Sequence, residues 1–270
     1  MMAEDVPASL GGPYPEPPSD GSWQRGPGHS SGAGIDGPQW VLEHWSDLNN
    51  VFQFVRIEDI ATDKRPGMSK VVYLADSGRG LAGTSVPSAA PFAQAFTSSN
   101  GRVWKMVMNA SDPTKVDSLS IFIEGDDNPV KTLNEIHQPD NLETTINGLY
   151  ITEDPGSSQQ FSAAQQAADP ANATTARLWQ YKFSDGSLSA VLEADQSADQ
   201  GPTDVDGAAA AGNWGAWETT GVLDVSAIFG PGKFLVNVQA HSLWIEKQAV
   251  TNWTNKREGG QLLLVTIPGG

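Results

Sequence analysis

The sequence has 270 residues, enough for one large β domain or two smaller ones, and its 28 glycines, 18 prolines and nine tryptophans favour short strands joined by tight loops over long helices. The formal net charge of −16 repels nucleic acid and anionic membranes, so neither is expected as a partner. The absence of cysteine excludes disulfides, thiolate zinc sites and cysteine nucleophiles.

Composition divides the chain into a tail and a patterned region. Residues 1–38 are rich in Gly, Pro and Ser with almost no β-branched residues, so we predict a disordered tail there and β structure over 39–270. The first residues lack the basic start and apolar core of a signal peptide, and no apolar run is long enough to span a bilayer. The residues alone are therefore compatible with the cytoplasm, or with an exported protein whose signal is missing from this sequence.

A weak internal repeat runs through 54–267, in which an acidic loop, a strand, a variable loop and a second strand recur in the same order. The offsets agree, because Arg102 and Arg177 are 75 positions apart and Tyr73 and Tyr150 are 77 apart. The segments of the three copies are 54–60, 70–78, 101–108 and 118–127; then 136–142, 148–156, 176–183 and 188–195; then 220–230, 233–241 and 261–267.

Each copy holds about three strands whose apolar residues alternate or run continuously, as in sheets packed on both faces. Units that must stack to bury their faces are typical of propeller blades. The predicted fold class is therefore all-β and propeller-like, with about three four-stranded blades. Trp104 and Trp179 recur at equivalent positions, and we predict that they pack between blades rather than stack on a substrate.

Three blades do not close a ring, because propellers typically have about four to eight. The third copy also lacks an outer strand, and the strand predicted at Trp40–Trp45 is the natural partner for its last segment, 261–267. The chain therefore belongs to a larger polypeptide, forms a homo-oligomer that completes the propeller, or leaves sheet edges exposed. The residues do not choose among these three arrangements.

Carboxylates recur at the loops that lead into the innermost strand of each copy, at Glu58, Asp59, Asp140 and Asp224. In a propeller such loops open at one face near the axis, where converging carboxylates require a bound cation or raised pKa values. A cation there would polarise a phosphoryl or acyl oxygen and lower the pKa of its water. The alternative is that Asp59 and Asp140 accept backbone N–H groups as turn caps, and the sequence does not decide between the two.

Two histidines and two arginines lie beside these loops. His137 and His241 each have the chemistry of a general base or a metal ligand, although a lone histidine is more often an ordinary hydrogen-bonded residue. Arg56 and Arg79 suit a bidentate clamp on a phosphate, but pairing with neighbouring acids is the favoured interpretation.

Three stretches resemble a known family. FVRIEDIATDK (54–64) is similar to the R-x-E-D loop, and HQPDNLETTINGLYITEDPG (137–156) to the P-D-N-L loop and following strand, of bacterial PhoX-type alkaline phosphatases and phytase-esterase-like propellers. VQAHSL (238–243) also resembles these proteins, and the resemblance covers about residues 52–245. P-D-N-L by itself is also similar to loops of sugar-lactonase propellers.

The resemblance implies a six-bladed propeller with calcium in its central channel and, in one branch, iron as a second metal. It implies metal ligands at Glu58, Asp140 and Glu153, and we assign Asp59 and His137 as catalytic candidates, in acid/base or supporting roles. The iron branch uses a cysteine, which this chain lacks, and the family's chain is about twice as long as this one. Roughly half of the family's active site is thus not accounted for by this sequence.

We therefore predict a calcium-dependent hydrolase of phosphate esters, acting on a small-molecule substrate. One alternative is a non-catalytic propeller with a binding or structural role, which the shorter length favours. The other is a lactonase or esterase on the same scaffold, because a fold does not determine a reaction. The resemblance implies a periplasmic or secreted protein.

Overall fold

The computed structural model describes residues 52, 54–78, 98, 100–125, 135–154, 175–196, 217–244 and 258–270, except for the side chains of 242–244 and 258. The tail predicted over 1–38 and the strand predicted at Trp40–Trp45 lie outside these ranges, as does Arg79.

The chain divides into two compact units, Met1–Phe54 with Ala82–Thr97, and Val55–Leu81 with Ser98–Gly270. The first unit is described only at Phe52 and Phe54, whose rings meet edge to face with centroids 5.0 Å apart. The second unit holds every strand described below.

The described part of the second unit contains eleven strands and one four-residue helix. They are β1 (Ile57–Thr62), β2 (Val71–Asp76), β3 (Arg102–Met108), β4 (Val116–Glu124), β5 (Pro139–Thr144), β6 (Gly148–Glu153), β7 (Arg177–Lys182), β8 (Leu188–Glu193), β9 (Glu218–Asp224), α1 (Ser226–Phe229), β10 (Lys233–Trp244) and β11 (Glu258–Thr266). Among the described residues, no helix has the length and apolar character needed to cross a membrane.

The strands form three antiparallel sheets in which neighbours along the chain are neighbours in the sheet. Blade 1 is β1–β4, blade 2 is β5–β8 and blade 3 is β9–β11. In the described ranges, blades 1 and 2 thus have four strands and blade 3 has three. The predicted all-β, propeller-like fold with about three blades is confirmed.

The first strands of the three blades, β1, β5 and β9, lie side by side and run in the same direction. Leu142 N donates to Asp59 Oδ2 at 2.9 Å, and further along both strands Thr144 Oγ1 donates to Thr62 O at 2.5 Å. Because the second bond lies further towards the C-terminus on both strands than the first, β1 and β5 are parallel neighbours. Their starting ends therefore lie at the same edge of the assembly.

The same relation holds between β5 and β9. Gly221 N donates to Asn141 Oδ1 at 2.6 Å, and Asp224 N donates to Glu143 Oε2 at 3.1 Å, two and three residues further along the strands. The first strands of all three blades consequently begin at one edge, which we call the entry edge.

The two largest apolar cores of the described residues lie between neighbouring blades. Tyr73 of β2 lies in the core between blades 1 and 2, and Tyr150, its equivalent on β6, lies in the core between blades 2 and 3 with Phe234. All three side chains are fully buried. Burial of one large apolar side chain contributes about 1.5–3 kcal/mol, so β2 and β6, which are buried along nearly their whole length, need the nearly continuous apolar sequence that they have.

Candidate functional site

Five carboxylates gather at the entry edge. Glu58 and Asp59 lie in β1, Asp140 is the second residue of β5, Asp154 directly follows β6, and Glu218 begins β9. Because β1, β5 and β9 are parallel and begin at the same edge, residues distant in sequence come together here. The structure thus brings together three of the residues predicted from sequence and adds Asp154 and Glu218.

Arg56 provides positive charge within this cluster. Its Nη2 lies 2.8 Å from Glu58 Oε1 and 3.7 Å from Asp154 Oδ2. Ser77 Oγ also donates to Glu58 Oε1, at 2.7 Å. The favoured interpretation of Arg56, pairing with neighbouring acids, is what the structure shows. The Arg56 side chain is 46% exposed, so the ion pair contributes at most about 1 kcal/mol.

Arg56 does not fully neutralise the negative charge around Asp140. Burial raises the pKa of Asp140 to about 6, and the negative charges of Glu58, Asp154 and Asp59 add to this effect. Arg56 lowers the pKa, but by less than these contributions raise it. The Asp140 carboxylate is therefore held where a second positive charge would be stabilising.

Glu218 and His241 form a close pair on blade 3. His241 Nε2 lies 2.6 Å from Glu218 Oε1, and Gln239 Nε2 lies 3.4 Å from His241 Nδ1. Burial raises the pKa of Glu218 to about 7, and the charge of Asp154 and a hydrogen bond to it contribute, while His241 opposes the increase. Two carboxyl groups of the cluster, Asp140 and Glu218, can thus hold a proton near neutral pH.

Asp59 has the role of a backbone cap. Its Oδ2 accepts the N–H of Leu142 at 2.9 Å, and its Oδ1 accepts the N–H of Ile60 at 2.7 Å. The first of these bonds links β1 to β5. The capping alternative weighed for Asp59 therefore describes its contacts, and its catalytic role stays a prediction.

Glu153 lies in a buried hydrogen-bond network. Its Oε1 accepts Trp179 Nε1 at 2.6 Å and His137 N at 2.9 Å, and its Oε2 accepts Arg177 N at 2.8 Å. Glu153 is fully buried and His137 nearly so. Both carboxylate oxygens thus serve the packing of blade 2, whereas the next residue, Asp154, faces the cluster. The metal role of Glu153 and the catalytic role of His137 stay predictions.

Asp76 makes the equivalent network in blade 1. Its Oδ2 accepts Trp104 Nε1 at 3.1 Å and its Oδ1 accepts Arg56 N at 2.8 Å. Both tryptophans, Trp104 and Trp179, are buried, as predicted for residues that pack blades. The repeat of an acid at the end of the second strand with a tryptophan on the third was the sequence signal for a structural carboxylate.

Asp224 does not belong to the cluster, and its predicted equivalence with Asp140 is wrong. Asp224 ends β9, where it pairs with Phe234 and its Oδ1 accepts Ser226 N at 2.9 Å, whereas Asp140 stands at the beginning of β5. Glu218, 78 positions after Asp140, is the carboxylate that blade 3 places at the entry edge. The repeat offset of 77 between Tyr73 and Tyr150 could have identified it.

The cluster supplies the donor chemistry of a calcium site, because all of its acidic ligands are oxygen atoms and their mutual repulsion is incompletely neutralised. Within the described ranges, however, no three His, Asp or Glu side chains are arranged as a complete metal-binding group. The described residues therefore contribute carboxylates of suitable chemistry, and water, substrate or further groups would complete a coordination shell.

Asp140→Asn should change the pH dependence of stability. Because the pKa of Asp140 is raised, the folded chain keeps the carboxyl proton between pH 3.8 and about 6, where the unfolded chain releases it. The contribution of this proton to the free energy of unfolding is therefore full below pH 3.8 and is lost as the pH rises through about 6. In the presence of a chelator, we expect Asp140→Asn to have a higher Tm than wild type at pH 8, with the difference much smaller at pH 4. The exposed control Glu193→Gln should show no such trend, and equal pH profiles for Asp140→Asn and wild type would contradict the prediction.

Comparisons with known proteins inform the fold. No protein-family model matches this sequence, and no curated protein matches it. Among solved structures, the chain is similar to Pseudomonas fluorescens PhoX in complex with vanadate, a transition state analogue, with a TM-score of 0.50 and 17% identity. The similarity covers 88% of this chain and 38% of the PhoX chain. It supports a PhoX-like fold, so the sequence resemblance is confirmed at the level of fold.

Proposed function

We propose that this chain hydrolyses phosphate esters with the help of calcium bound at the entry-edge cluster. The observation that carries the proposal is the group of incompletely neutralised carboxylates around Asp140, on a fold similar to that of PhoX, whose solved structure holds a transition state analogue. Because the similarity spans 38% of the PhoX chain, the activity is inferred from the site and the fold together.

Glu58 and Asp140 are the side chains that would hold the cation. Both lie at the entry edge on adjacent strands, and Glu58 is close enough to raise the pKa of Asp140. Calcium takes six to eight oxygen ligands, so water, substrate or further protein groups would complete its shell. When bound, the cation would polarise a phosphoryl oxygen and favour ionisation of a water molecule.

The neighbouring side chains supply binding and proton transfer. Arg56 is half-exposed beside Glu58, and its planar guanidinium suits the oxygens of a phosphate ester. The Glu218–His241 pair can hold a proton between Oε1 and Nε2, and its position beside Asp154 connects it to the cluster. A general acid or base works best with a pKa near the working pH, which the value of about 7 for Glu218 meets.

Calcium titration tests the cation site. If the folded chain binds calcium, the free energy of unfolding should rise by about 2.7 kcal/mol at 100 times Kd and about 4.1 kcal/mol at 1,000 times Kd. Differential scanning calorimetry in calcium and in chelator measures this, with magnesium as the comparison ion. Identical melting curves in calcium and chelator would reject the site.

Turnover of a chromogenic phosphate monoester, a phosphate diester and a lactone, measured with calcium present, then separates the functions. Hydrolysis of a phosphate ester that stops on chelation is the expected result. Lactone hydrolysis alone would indicate the lactonase alternative, and calcium binding without any turnover would indicate a binding module.

A further inference from the structure

The sheet of blade 3 has one covered and one open face. Val222, Phe234 and Val236 point towards blade 2 and are buried in the core between the two blades. Side chains alternate between the two faces of a sheet, so the neighbouring positions point the other way. We call that side the outer face of blade 3, and its central residues are Leu223, Leu235, Asn237, Gln239, Leu262 and Leu264.

The outer face of blade 3 carries a contiguous apolar row. Leu223, Leu235 and Leu264 are directly paired across β9, β10 and β11, and Leu262 is two residues from Leu264 on β11. Leu223, Leu262 and Leu264 are 53%, 67% and 49% exposed. Beside Leu262 lies an open groove of about 310 Å³. Contiguous exposed apolar surface of this kind marks an interaction site rather than ordinary surface.

The leucine row is also free of ionisable side chains, which lie at the two ends of the face: Lys233 at the end beside Leu235, and Glu218 and His241 at the end beside Gln239. None of the six central residues of the face carries a charge, although the chain as a whole has a formal net charge of −16. Two copies of a chain this acidic repel each other over most surfaces. Contact between two copies through these six uncharged residues would avoid that repulsion, so the centre of this face is suited to self-association.

The packing inside the molecule shows what kind of surface covers such a face. On blade 2 the equivalent face, which includes Tyr150 and Leu178, is covered by the sheet of blade 3. Leu235 holds the place of Tyr150, because each lies on the second strand of its blade between two residues that are buried against the preceding blade. These are Leu149 and Ile151 in blade 2, and Phe234 and Val236 in blade 3. Packing of the same kind, one sheet on the face of the next, would place another β-sheet on the outer face of blade 3.

Blade 1 is not a ready partner for that sheet. Its side facing away from blade 2 includes Leu74 and Trp104, paired across β2 and β3, and these are only 6% and 8% exposed. A head-to-tail ring, in which blade 3 of one copy packs on blade 1 of the next, would therefore use a face whose central side chains are already buried. The outer face of blade 3 in a second copy is open and apolar.

We propose that two copies of this chain associate through the outer faces of blade 3, related by a two-fold axis. Closed two-fold dimers are the commonest symmetric assemblies, and two sheets packed face to face at a separation of about 10 Å would bury the leucine row of each copy. This arrangement differs from the ring-completing oligomer expected from sequence, and the inference does not depend on the proposed hydrolase activity.

Charge substitution tests the contact. Wild type should have twice the 28.7 kDa chain mass by light scattering, and Leu264→Glu should be a monomer because the two-fold contact brings two buried carboxylates near each other. The matched control Ile146→Glu, at a 64% exposed turn outside blade 3, should stay dimeric. Mixing Leu264→Glu with Leu264→Lys should restore the dimer. A monomeric wild type overturns the proposal.

Cysteine substitution tests the symmetry, since the chain has no cysteine of its own. Leu223→Cys, Leu262→Cys and Leu264→Cys are oxidised one at a time, and at least one should form a disulfide-linked dimer, because residues near a two-fold axis meet their own copies. Ile146→Cys should not. A dimer in which none of the three blade 3 variants cross-links overturns the face-to-face arrangement in favour of head-to-tail packing.

Discussion

Glu153→Gln is expected to lower the free energy of unfolding by about 3 kcal/mol, because it replaces one acceptor oxygen of a buried carboxylate with an N–H₂ donor. Both oxygens of Glu153 are engaged, Oε1 by His137 N and Trp179 Nε1, and Oε2 by Arg177 N. Whichever oxygen is replaced, at least one buried N–H faces another donor. Urea denaturation in the presence of a chelator measures the loss.

Two comparisons make this result specific. Asp76→Asn should also be strongly destabilising, since Asp76 accepts Trp104 Nε1 and Arg56 N in the equivalent network of blade 1. Exposed Glu193→Gln should stay within about 0.5 kcal/mol of wild type. If Glu153→Gln were destabilised in calcium but unchanged in chelator, Glu153 would instead act as the metal ligand predicted from sequence.

Glu58→Gln and Asp140→Asn are each expected to reduce the turnover of a phosphate ester more than 100-fold, which corresponds to about 2.7 kcal/mol of activation free energy. Each change removes the negative charge of a proposed cation ligand and keeps the size of the side chain. Bound calcium, measured by equilibrium dialysis, should fall in parallel with the rate. The fold should be retained, because neither residue is fully buried.

Asp224→Asn is the matched control for these two variants. Asp224 is a carboxylate on the first strand of its blade, as Asp140 is, but it stands at the far end of β9 and caps Ser226 N. We expect unchanged calcium binding and turnover, with stability within about 0.5 kcal/mol of wild type, because Asn keeps the Oδ1 acceptor and caps about as well as Asp. Unchanged calcium content in Glu58→Gln and Asp140→Asn would contradict the assigned cation site.

The fold was largely predictable because the repeat is carried by residues that pack blades. Tyr73 and Tyr150, and Trp104 and Trp179, recur at nearly constant offsets since each blade must bury the same positions against the next. The alternation of apolar residues along the strands follows from the two faces of a sheet. These local constraints predicted all-β structure and about three blades.

The candidate site was only partly predictable, because it depends on which end of a strand a carboxylate occupies. Glu58, Asp59 and Asp140 were identified from their acidic loops, which the structure shows to be the beginnings of strands β1 and β5. Asp224 was wrongly predicted to be equivalent to Asp140, because only the pairing with β10 shows where β9 begins and ends. This pairing also shifts by one residue opposite Val236 and Asn237. One extra residue in a strand changes which side chains share a face.

The sequence by itself thus determined the fold class, the blade repeat and the acidic character of the entry edge. The tertiary structure decided that Glu153 is a buried packing residue while Asp154 faces the cluster, and that Glu218 pairs with His241. The physical reason is that successive residues of an extended chain point in opposite directions, so two adjacent acids receive opposite environments. Only the contacts of neighbouring blades determine which of the two is buried and hydrogen-bonded and which adds its charge to Asp140.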